Sequence, residues 1–258
     1  MGSSVPYTTV VVVTGANQGI GFEIAKKLGT EHSDYHIYVA GRRKDAVEEA
    51  VAKLKPLNVS CEPLVLDVTS DESIAAAVKV VEEYHGHLDV LINNAGISRV
   101  NPGRATAGEG NHRDRHTWRT VLDTNVSGVA LVTDAFIPLL EKSKTTKRIV
   151  NISSTLGSIN MKLDPKTAPW RKVDYWIVYA ASKAALNMVT AFFATRFEDD
   201  QSWKVNSCCP GYCATNLNDY EGTGPVEDGA INACRLATQV GEDSESGTFT
   251  NADGPQPW

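Results

Sequence analysis

Tyr179 and Lys183 have the residue types and the spacing that most directly suggest chemistry in this chain. They lie four residues apart in the helix-patterned run Tyr-Ala-Ala-Ser-Lys, and side chains at i and i+4 share one face of a helix. A lysine ammonium beside a phenol favours the phenolate, so we expect Lys183 to lower the pKa of Tyr179 towards the working pH, where a general acid is most efficient. Most isolated pairs with this spacing are surface residues, so the interpretation depends on the rest of the chain.

Ser153, Ser154 and Asn125 could complete a site around this pair. The two serines follow the apolar run Arg148–Ile152, whose carboxyl end should face the ligand side of a sheet. A serine hydroxyl there could hold a substrate carbonyl. Asn125 falls inside a helix-patterned stretch, where a polar side chain either has a buried partner or faces the solvent.

A glycine-rich loop indicates a nucleotide site. The strand candidate Thr9–Val13 runs into Thr-Gly-Ala-Asn-Gln-Gly-Ile-Gly, and a helix pattern follows. Glycines let the backbone turn tightly and approach a pyrophosphate, and the helix N-terminus supplies unpaired N–H groups. A plain tight turn is the alternative, but the position between a strand and a helix favours the nucleotide site. The expected contacts are Gly15, Asn17, Gln18, Gly19, Ile20 and Gly21.

Arg42 and Arg43 bear on the choice of cofactor. An enzyme that uses NAD usually has an acidic side chain after the second strand, and here that turn reads Gly-Arg-Arg with no carboxylate. A phosphate on the ribose would be bound well by guanidinium groups. The turn therefore favours NADPH over NADH, with a solvated basic turn as the alternative.

The ends of the third and fourth strand candidates offer further cofactor contacts. Asp67 and Val68 follow one of them, and a carboxylate at that point can accept a hydrogen bond from the adenine amino group. Asn93, Asn94, Ala95 and Gly96 follow the other. Small residues there leave room for a cofactor, and the asparagines can tie neighbouring loops together; each of these residues could also be purely structural.

The elements that must position these residues alternate along the chain. Short β-branched runs predict strands, and the longer runs between them are helix-patterned. The strand candidates are Thr9–Val13, His36–Ala40, Leu64–Leu66, Val90–Ile92, Arg148–Ile152, Lys204–Cys208 and Thr248–Thr250; the helix candidates lie near 20–30, 44–55, 71–84, 117–142, 175–198 and 226–239. This alternation predicts one α/β domain over residues 1–258, a Rossmann-like doubly wound parallel sheet of about seven strands with helices on both faces.

Three segments, 98–117, 157–178 and 212–228, should emerge on the ligand side of this sheet. They are either substrate-pocket walls or variable surface loops. The aromatic and apolar residues that could line a pocket, or simply pack in the core or a lid, are Trp170, Trp176, Tyr212, Leu217 and Tyr220. In the third segment and just before it, Pro210, Gly211 and Thr215 could close over a nicotinamide.

Composition excludes several classes of function. The 258 residues are 42% apolar and 22% charged with a net charge of -6, which is ordinary for a globular protein and disfavours nucleic acid and anionic membranes as partners. We expect no secretory signal and no membrane span, because no stretch approaches the ~18 apolar residues that a span needs. The five cysteines lack metal-type spacing, so we interpret them as reduced core thiols rather than redox or metal groups, and we expect a cytoplasmic protein,.

Taken together, these motifs resemble the short-chain dehydrogenase/reductase family over roughly residues 8 to 252. The matching features are the glycine loop, Asp67, the run from Asn93 to Gly96, Asn125, Ser154, Tyr179 with Lys183, and Pro210 with Gly211. Within the family the chain is similar to the monomeric carbonyl reductase group, through its Gly-Ala-Asn loop, Arg42, the long segment before Tyr179 and the ending Gly-Thr-Phe at 247–249.

The resemblance implies a role for each catalytic residue. Tyr179 would be the general acid, and Lys183 would bond the nicotinamide ribose and lower the pKa of Tyr179. Ser154, rather than Ser153, would position the substrate, and Asn125 would hold a water that links Lys183 to solvent. The implied reaction is NADPH-dependent reduction of a carbonyl in a small metabolite, without a metal.

Two departures from the family pattern qualify these expectations. Gln18 stands where many NADPH-dependent members carry a basic residue, which leaves Arg42 and Arg43 to bind the phosphate. The long insertion before Tyr179 can cover the helix face through which family members oligomerise, so we expect a monomer, with a homodimer or tetramer as the alternative. The competing function is a non-redox member of the fold, either a cyclase or an NADP(H)-binding scaffold.

Overall fold

A computed structural model describes residues 8–98, 114–167, 169–172 and 176–258. Most of the expected substrate-side segment 98–117 lies outside the described residues, as do 168 and 173–175 of the second segment. The side chain of Trp170 is likewise outside the described part of the chain.

A single eight-stranded sheet forms the centre of the described structure. Its strands are β1 (Thr9–Val13), β2 (Tyr35–Gly41), β3 (Cys61–Val65), β4 (Val90–Asn93), β5 (Lys147–Ile152), β6 (Trp203–Cys208), β7 (Phe249–Asn251) and β8 (Gly254–Pro255). They are ordered β3-β2-β1-β4-β5-β6-β7-β8; β1 to β7 are parallel, and β8 pairs antiparallel with β7. The order reverses next to β1, so the carboxyl ends of β1 and β4 border the crevice in which such sheets bind ligands.

Helices connect the strands and cover both faces. They are α1 (Gly19–Glu31), α2 (Lys44–Leu54), α3 (Asp71–His85), α4 (Arg115–Leu122), α5 (Gly128–Leu140), α6 (Ile159–Leu163), α7 (Ile177–Arg196) and α8 (Ile231–Ala237). A π-helical turn, Asp123–Ser127, joins α4 to α5 without a break.

The alternation of side chains along β1 divides the core into two layers. Val11 and Val13 pack in the cluster that contains the buried residues of α1, α2 and α8. Val10 and Val12 pack in the opposite cluster, with the buried residues of α3, α5 and α7. Because both faces of the strand are covered, its sequence is an unbroken apolar run, as expected for a parallel sheet between two helical layers. The predicted fold class is confirmed, with one strand more than the expected seven.

Several predicted boundaries are wrong for identifiable reasons. β3 begins three residues before the predicted start, because Glu62 and Pro63 interrupt its apolar run; as an edge strand it tolerates both,. The helix predicted at 117–142 contains the π turn. The helix predicted at 226–239 begins as a 3-10 turn, Val226–Ala230, before α8.

The structure bears on two expectations drawn from composition, namely that the cysteines are core thiols and that no segment could span a membrane. All five cysteines are buried and free, which confirms their interpretation as core thiols. The 20-residue helix α7, in contrast, is apolar and long enough to cross a membrane by length and composition, although the expectation was that no segment would be. The core helices of globular proteins pass the same test, and the inner face of α7 packs on the sheet.

The outer faces of α5 and α7 retain exposed apolar side chains. Met188 and Phe192 on α7 are 70% and 60% exposed, and Leu131 on α5 is 49% exposed. The argument for a monomer assumes that the segment before Tyr179 covers this helix face. The described residues of that segment leave these three side chains exposed. The monomeric state stays a prediction.

Candidate active site

The glycine loop after β1 is shaped by its contact with the loop after β4. Gly15 has a φ of +63°, and a Cβ there would lie 2.9 Å from the Cα of Ala95. A Cβ on Gly21 would lie 2.4 Å from Nδ2 of Asn94. Only glycine lets the two loops approach this closely.

Hydrogen bonds hold the same two loops together. The Thr14 hydroxyl accepts from the backbone N–H groups of Asn94 and Ala95, each at 3.0 Å. In return, Nδ2 of Asn94 donates to the carbonyls of Thr14 and Gly15 at 2.9 and 3.1 Å. Asn94 therefore ties neighbouring loops, which confirms that part of the expectation for the asparagine pair.

A cleft of about 970 Å³ opens at the carboxyl ends of the strands. It contains twelve of the residues predicted to bind a cofactor, namely Gly15, Asn17, Gln18, Gly19, Ile20, Arg42, Asp67, Val68, Asn94, Ala95, Gly96 and Thr215. Helix α1 begins at this cleft. The side chain of its N-cap residue, Gln18, makes no capping hydrogen bond to the first turn. Free N–H groups and the positive end of the helix dipole thus face the cleft, which suits a pyrophosphate.

The two arginines after β2 have different surroundings. Arg42 lines the cleft. Arg43 lies outside its lining, 70% exposed, with Nε 3.6 Å from Oδ1 of Asp45. Arg42 therefore has the position expected of a phosphate ligand, whereas Arg43 lies near a carboxylate two residues away on the same turn; that both guanidinium groups bind the phosphate stays a prediction.

Asp67 lines the cleft but is partly engaged by its own turn. Its Oδ1 accepts from the backbone N–H of Thr69 at 3.0 Å and from the Thr69 hydroxyl at 2.8 Å. The carboxylate is thereby oriented at the wall, and its second oxygen can accept a bond from a ligand.

Sequence reasoning missed the wall of the cleft opposite this turn. It is built by α4 and the π turn, through Arg119, Thr120, Leu122, Asp123, Thr124 and Ser127. These residues lie in the same helical stretch as Asn125, which could have suggested that they are near the site. The sequence does not show which face of that stretch is turned towards the cleft.

The catalytic candidates meet beside the inner end of the cleft. The Ser154 hydroxyl lies beside the Tyr179 phenol, close enough to lower its pKa. Nζ of Lys183 donates to the carbonyl of Ile152 at 2.7 Å and lies 5.5 Å from the centre of the Tyr179 ring. Gly96 connects the two regions, because it lines the cleft and lies against Nζ of Lys183.

Burial, rather than the neighbouring ammonium, dominates the titration of this pair. Burial raises the pKa of the Tyr179 phenol above its ordinary 10.0, the nearby Cys209 thiol acts in the same direction, and the Ser154 hydroxyl opposes them. Burial also lowers the pKa of Lys183 to about 8. The expected net lowering of the Tyr179 pKa towards the working pH is therefore not found in this structure, because desolvation disfavours both charged forms.

Asn125 lies in the π turn and is fully buried. Its Oδ1 accepts from the N–H of Ile97 and its Nδ2 donates to the carbonyl of Ile97, both at 2.8 Å. Nδ2 also donates to the Ser182 hydroxyl at 3.0 Å. The side chain thus joins the loop after β4 to helix α7, one residue from Lys183; its expected hold on a water stays a prediction.

Comparison with known proteins now adds to this geometry. A family profile described as short chain dehydrogenase matches residues 9–224. The chain belongs to the short-chain dehydrogenase family. Such enzymes are oxidoreductases that use a nicotinamide cofactor.

Named relatives share most of their length with this short-chain dehydrogenase. The short-chain dehydrogenase anuI of Penicillium roqueforti is 41% identical, over 89% of this chain and 88% of the relative. The (+)-neomenthol dehydrogenase of Arabidopsis thaliana is 30% identical, over 92% and 94%. Among solved structures, an NADPH-bound carbonyl reductase from chicken fatty liver has a TM-score of 0.77 and 29% identity, covering 98% of this chain and 100% of its own.

Of the residues predicted to line a substrate pocket, only some lie next to Tyr179 or the cleft. The Trp176 ring packs edge-on against Tyr179, with the ring centres 5.9 Å apart. Leu217 lines the cleft, and its carbonyl accepts from the Ser98 hydroxyl at 2.8 Å. Tyr212 and Tyr220 are exposed.

The turn after β6 lines the cleft at Thr215 but not at Pro210 or Gly211, and the closure of these residues over a nicotinamide stays a prediction. Cys209 is one of the buried thiols and also lies beside the catalytic pair: its Sγ accepts from the N–H of Thr155 at 3.4 Å, and it raises the pKa of Tyr179.

Proposed function

We propose that this protein is an NADPH-dependent reductase of a carbonyl group in a small organic molecule, with Tyr179 as the proton donor. The observation that carries the proposal is the position of the Ser154 hydroxyl and of a buried Lys183 beside Tyr179, next to a cleft that contains most of the residues predicted to bind the cofactor. The resemblance to an NADPH-bound carbonyl reductase and to dehydrogenases of small alcohols supports it.

Each protein group has a defined task in this reaction. The bound cofactor supplies the hydride that reduces the carbonyl carbon. Ser154 donates a hydrogen bond to the carbonyl oxygen and so places it next to the Tyr179 hydroxyl. Because burial keeps the phenol protonated, Tyr179 holds its proton until negative charge develops on that oxygen, and then transfers it.

Lys183 supports this proton transfer electrostatically. Its ammonium lies close enough to the Tyr179 ring to stabilise negative charge on the phenolate left behind,. The carbonyl of Ile152 fixes Nζ in place, so the charge need not reorganise during the reaction.

The preference for NADPH is proposed on the charge at the rim of the cleft. Arg42 is the guanidinium after β2 that lines it, where a ribose phosphate would lie,. Gln18 also lines the cleft and can add a neutral hydrogen bond,. Arg43 is not part of the proposal because it pairs with Asp45.

The test is a turnover assay with a matched binding control. Purified protein and NADPH, given a panel of activated ketones and aldehydes, should lose the absorbance of the reduced nicotinamide. Tyr179→Phe should abolish this loss while retaining NADPH binding, read by the fluorescence of the bound cofactor. Turnover in Tyr179→Phe at the rate of the unsubstituted enzyme would refute the assignment of the proton donor.

A further inference from the structure

Three consecutive residues at the end of β5, 152–154, each lie against a polar side chain on the inner face of α7. The carbonyl of Ile152 accepts from Lys183, and the Ser154 hydroxyl lies beside Tyr179, as described above. The second contact is buried: Ser153 donates from its hydroxyl to Oδ1 of Asn187 at 2.6 Å. Nothing in the catalytic chemistry uses this third pair.

Asn187 is placed to control how α7 sits on the sheet. It lies four residues after Lys183 and eight after Tyr179, so all three side chains point from one face of the helix,. It is only 5% exposed. The contacts of Tyr179 and Asn187 lie two turns apart on this face, with the Lys183 contact between them. The contact at Asn187 extends the attachment of α7 to the end of β5, and so limits both the translation and the rotation of the helix.

Stability alone gives no reason for an asparagine at this position. Its Oδ1 also accepts from the Ser207 hydroxyl at 3.2 Å, so two serine hydroxyls donate to the same amide oxygen. Within the described residues, the buried Nδ2 has no hydrogen-bond partner. A buried unpaired amide N–H opposes folding and offsets part of what the two serine hydrogen bonds contribute; leucine would avoid that cost but would remove the acceptor of both hydroxyls. Such a group calls for an explanation outside packing.

We propose that Asn187 is a positioning residue for the proton transfer, acting through Ser153. Their hydrogen bond sets the register between the end of β5 and α7, and thereby aligns the Ser154 hydroxyl with the Tyr179 hydroxyl. This inference rests on the proposed function, in which those two hydroxyls meet the carbonyl oxygen.

The decisive substitution is Asn187→Leu, with Thr190→Val as the matched control. Thr190 is also buried on α7, and it bonds Asn151 and Ser207 but not Ser153. We expect Asn187→Leu to lower kcat roughly tenfold or more, since small misplacements of reacting groups are costly. The KM for NADPH should stay within about twofold, and the thermal midpoint should fall no further than in Thr190→Val. Thr190→Val should retain kcat.

A double-mutant comparison distinguishes loss of alignment at Ser154 from a general structural effect of the Asn187→Leu substitution. In a Ser154→Ala background the hydroxyl that Asn187 aligns is gone, so Asn187→Leu should cause no further loss of kcat. The inference is overturned if Asn187→Leu keeps the kcat of the unsubstituted enzyme, if Thr190→Val loses as much, or if the losses from Ser154→Ala and Asn187→Leu simply multiply.

A spectroscopic arm keeps the test independent of turnover. Isotope-labelled tyrosine gives a Cζ resonance for Tyr179, assigned by its disappearance in Tyr179→Phe. Asn187→Leu should move this resonance in the same direction as Ser154→Ala does, and Thr190→Val should leave it in place. If no carbonyl is reduced by any form of the protein, the proposed function fails, and the resonance still decides whether Asn187 aligns the pair; an unmoved resonance in Asn187→Leu refutes the inference.

Discussion

Gly21→Ala tests the central claim that the glycine loop is shaped by the loop after β4. The added methyl carbon would lie 2.4 Å from Nδ2 of Asn94 and 2.6 Å from the carbonyl oxygen of Gly15, whereas ordinary contact begins at 3.4 Å. About 1 Å of overlap must therefore be absorbed by the half-buried Asn94 side chain and by backbone, and neither can yield without breaking existing bonds,.

The expected magnitude follows from those bonds. Displacing Nδ2 of Asn94 breaks its hydrogen bonds to the carbonyls of Thr14 and Gly15, each of which contributes about 1 kcal/mol. With residual strain we expect Gly21→Ala to lower the free energy of unfolding by about 2–4 kcal/mol. Since the loop that should cradle the pyrophosphate moves with it, the Kd for NADPH should rise at least about tenfold.

Urea denaturation and a fluorescence titration with NADPH measure the two effects. Gly86→Ala is the matched control, because a Cβ there meets nothing closer than 4.0 Å and Gly86 lies at the end of α3, away from the cleft. Its φ of +72° should cost about 1–2 kcal/mol,, with no change in NADPH affinity. The reasoning is refuted if Gly21→Ala unfolds at the same urea concentration as the unsubstituted protein and binds NADPH equally well.

Three further predictions follow from charges and burial. Arg42→Ala should erode the kcat/KM preference for NADPH over NADH by roughly tenfold or more, whereas Arg43→Ala, the paired neighbour, should leave it unchanged; equal effects would contradict the geometry. Because burial lowers the pKa of Lys183 to about 8, kcat/KM should fall as the pH rises through that value and the ammonium is lost, so a pH–rate profile that stays flat there argues against its role,. Burial lowers the pKa values of His36 and His85; the nearby His85 acts in the same direction on His36, and His87 on His85. The unfolded chain then binds protons that the folded one does not, so the free energy of unfolding should decline as the pH falls below about 6.5; denaturation curves across that range test this, and His85→Gln should reduce the slope.

The pair Tyr179 and Lys183 shows what could be predicted from local sequence. The spacing of Tyr179 and Lys183 placed both on one helix face, and the glycine loop between a strand and a helix indicated a nucleotide site; the structure brings these together at one edge of the sheet. Such inferences succeed because helix periodicity and the backbone freedom of glycine are local properties. The strand-and-helix alternation was equally readable, since burial on both faces leaves an unbroken apolar run.

What the tertiary structure decided are the properties that depend on distant segments. The pKa of Tyr179 rises because the fold buries it, and because the Cys209 thiol, which is remote in sequence, lies close to it. Arg42 and Arg43 are neighbours in sequence, yet only one faces the cleft. The partnership of Ser153 with Asn187 joins a strand to a helix across 34 residues. Sequence alone therefore determined which groups could do chemistry here, and the packing of the sheet against α7 decided their protonation, their orientation and their register, because desolvation and side-chain direction are set by whatever else occupies the surrounding space.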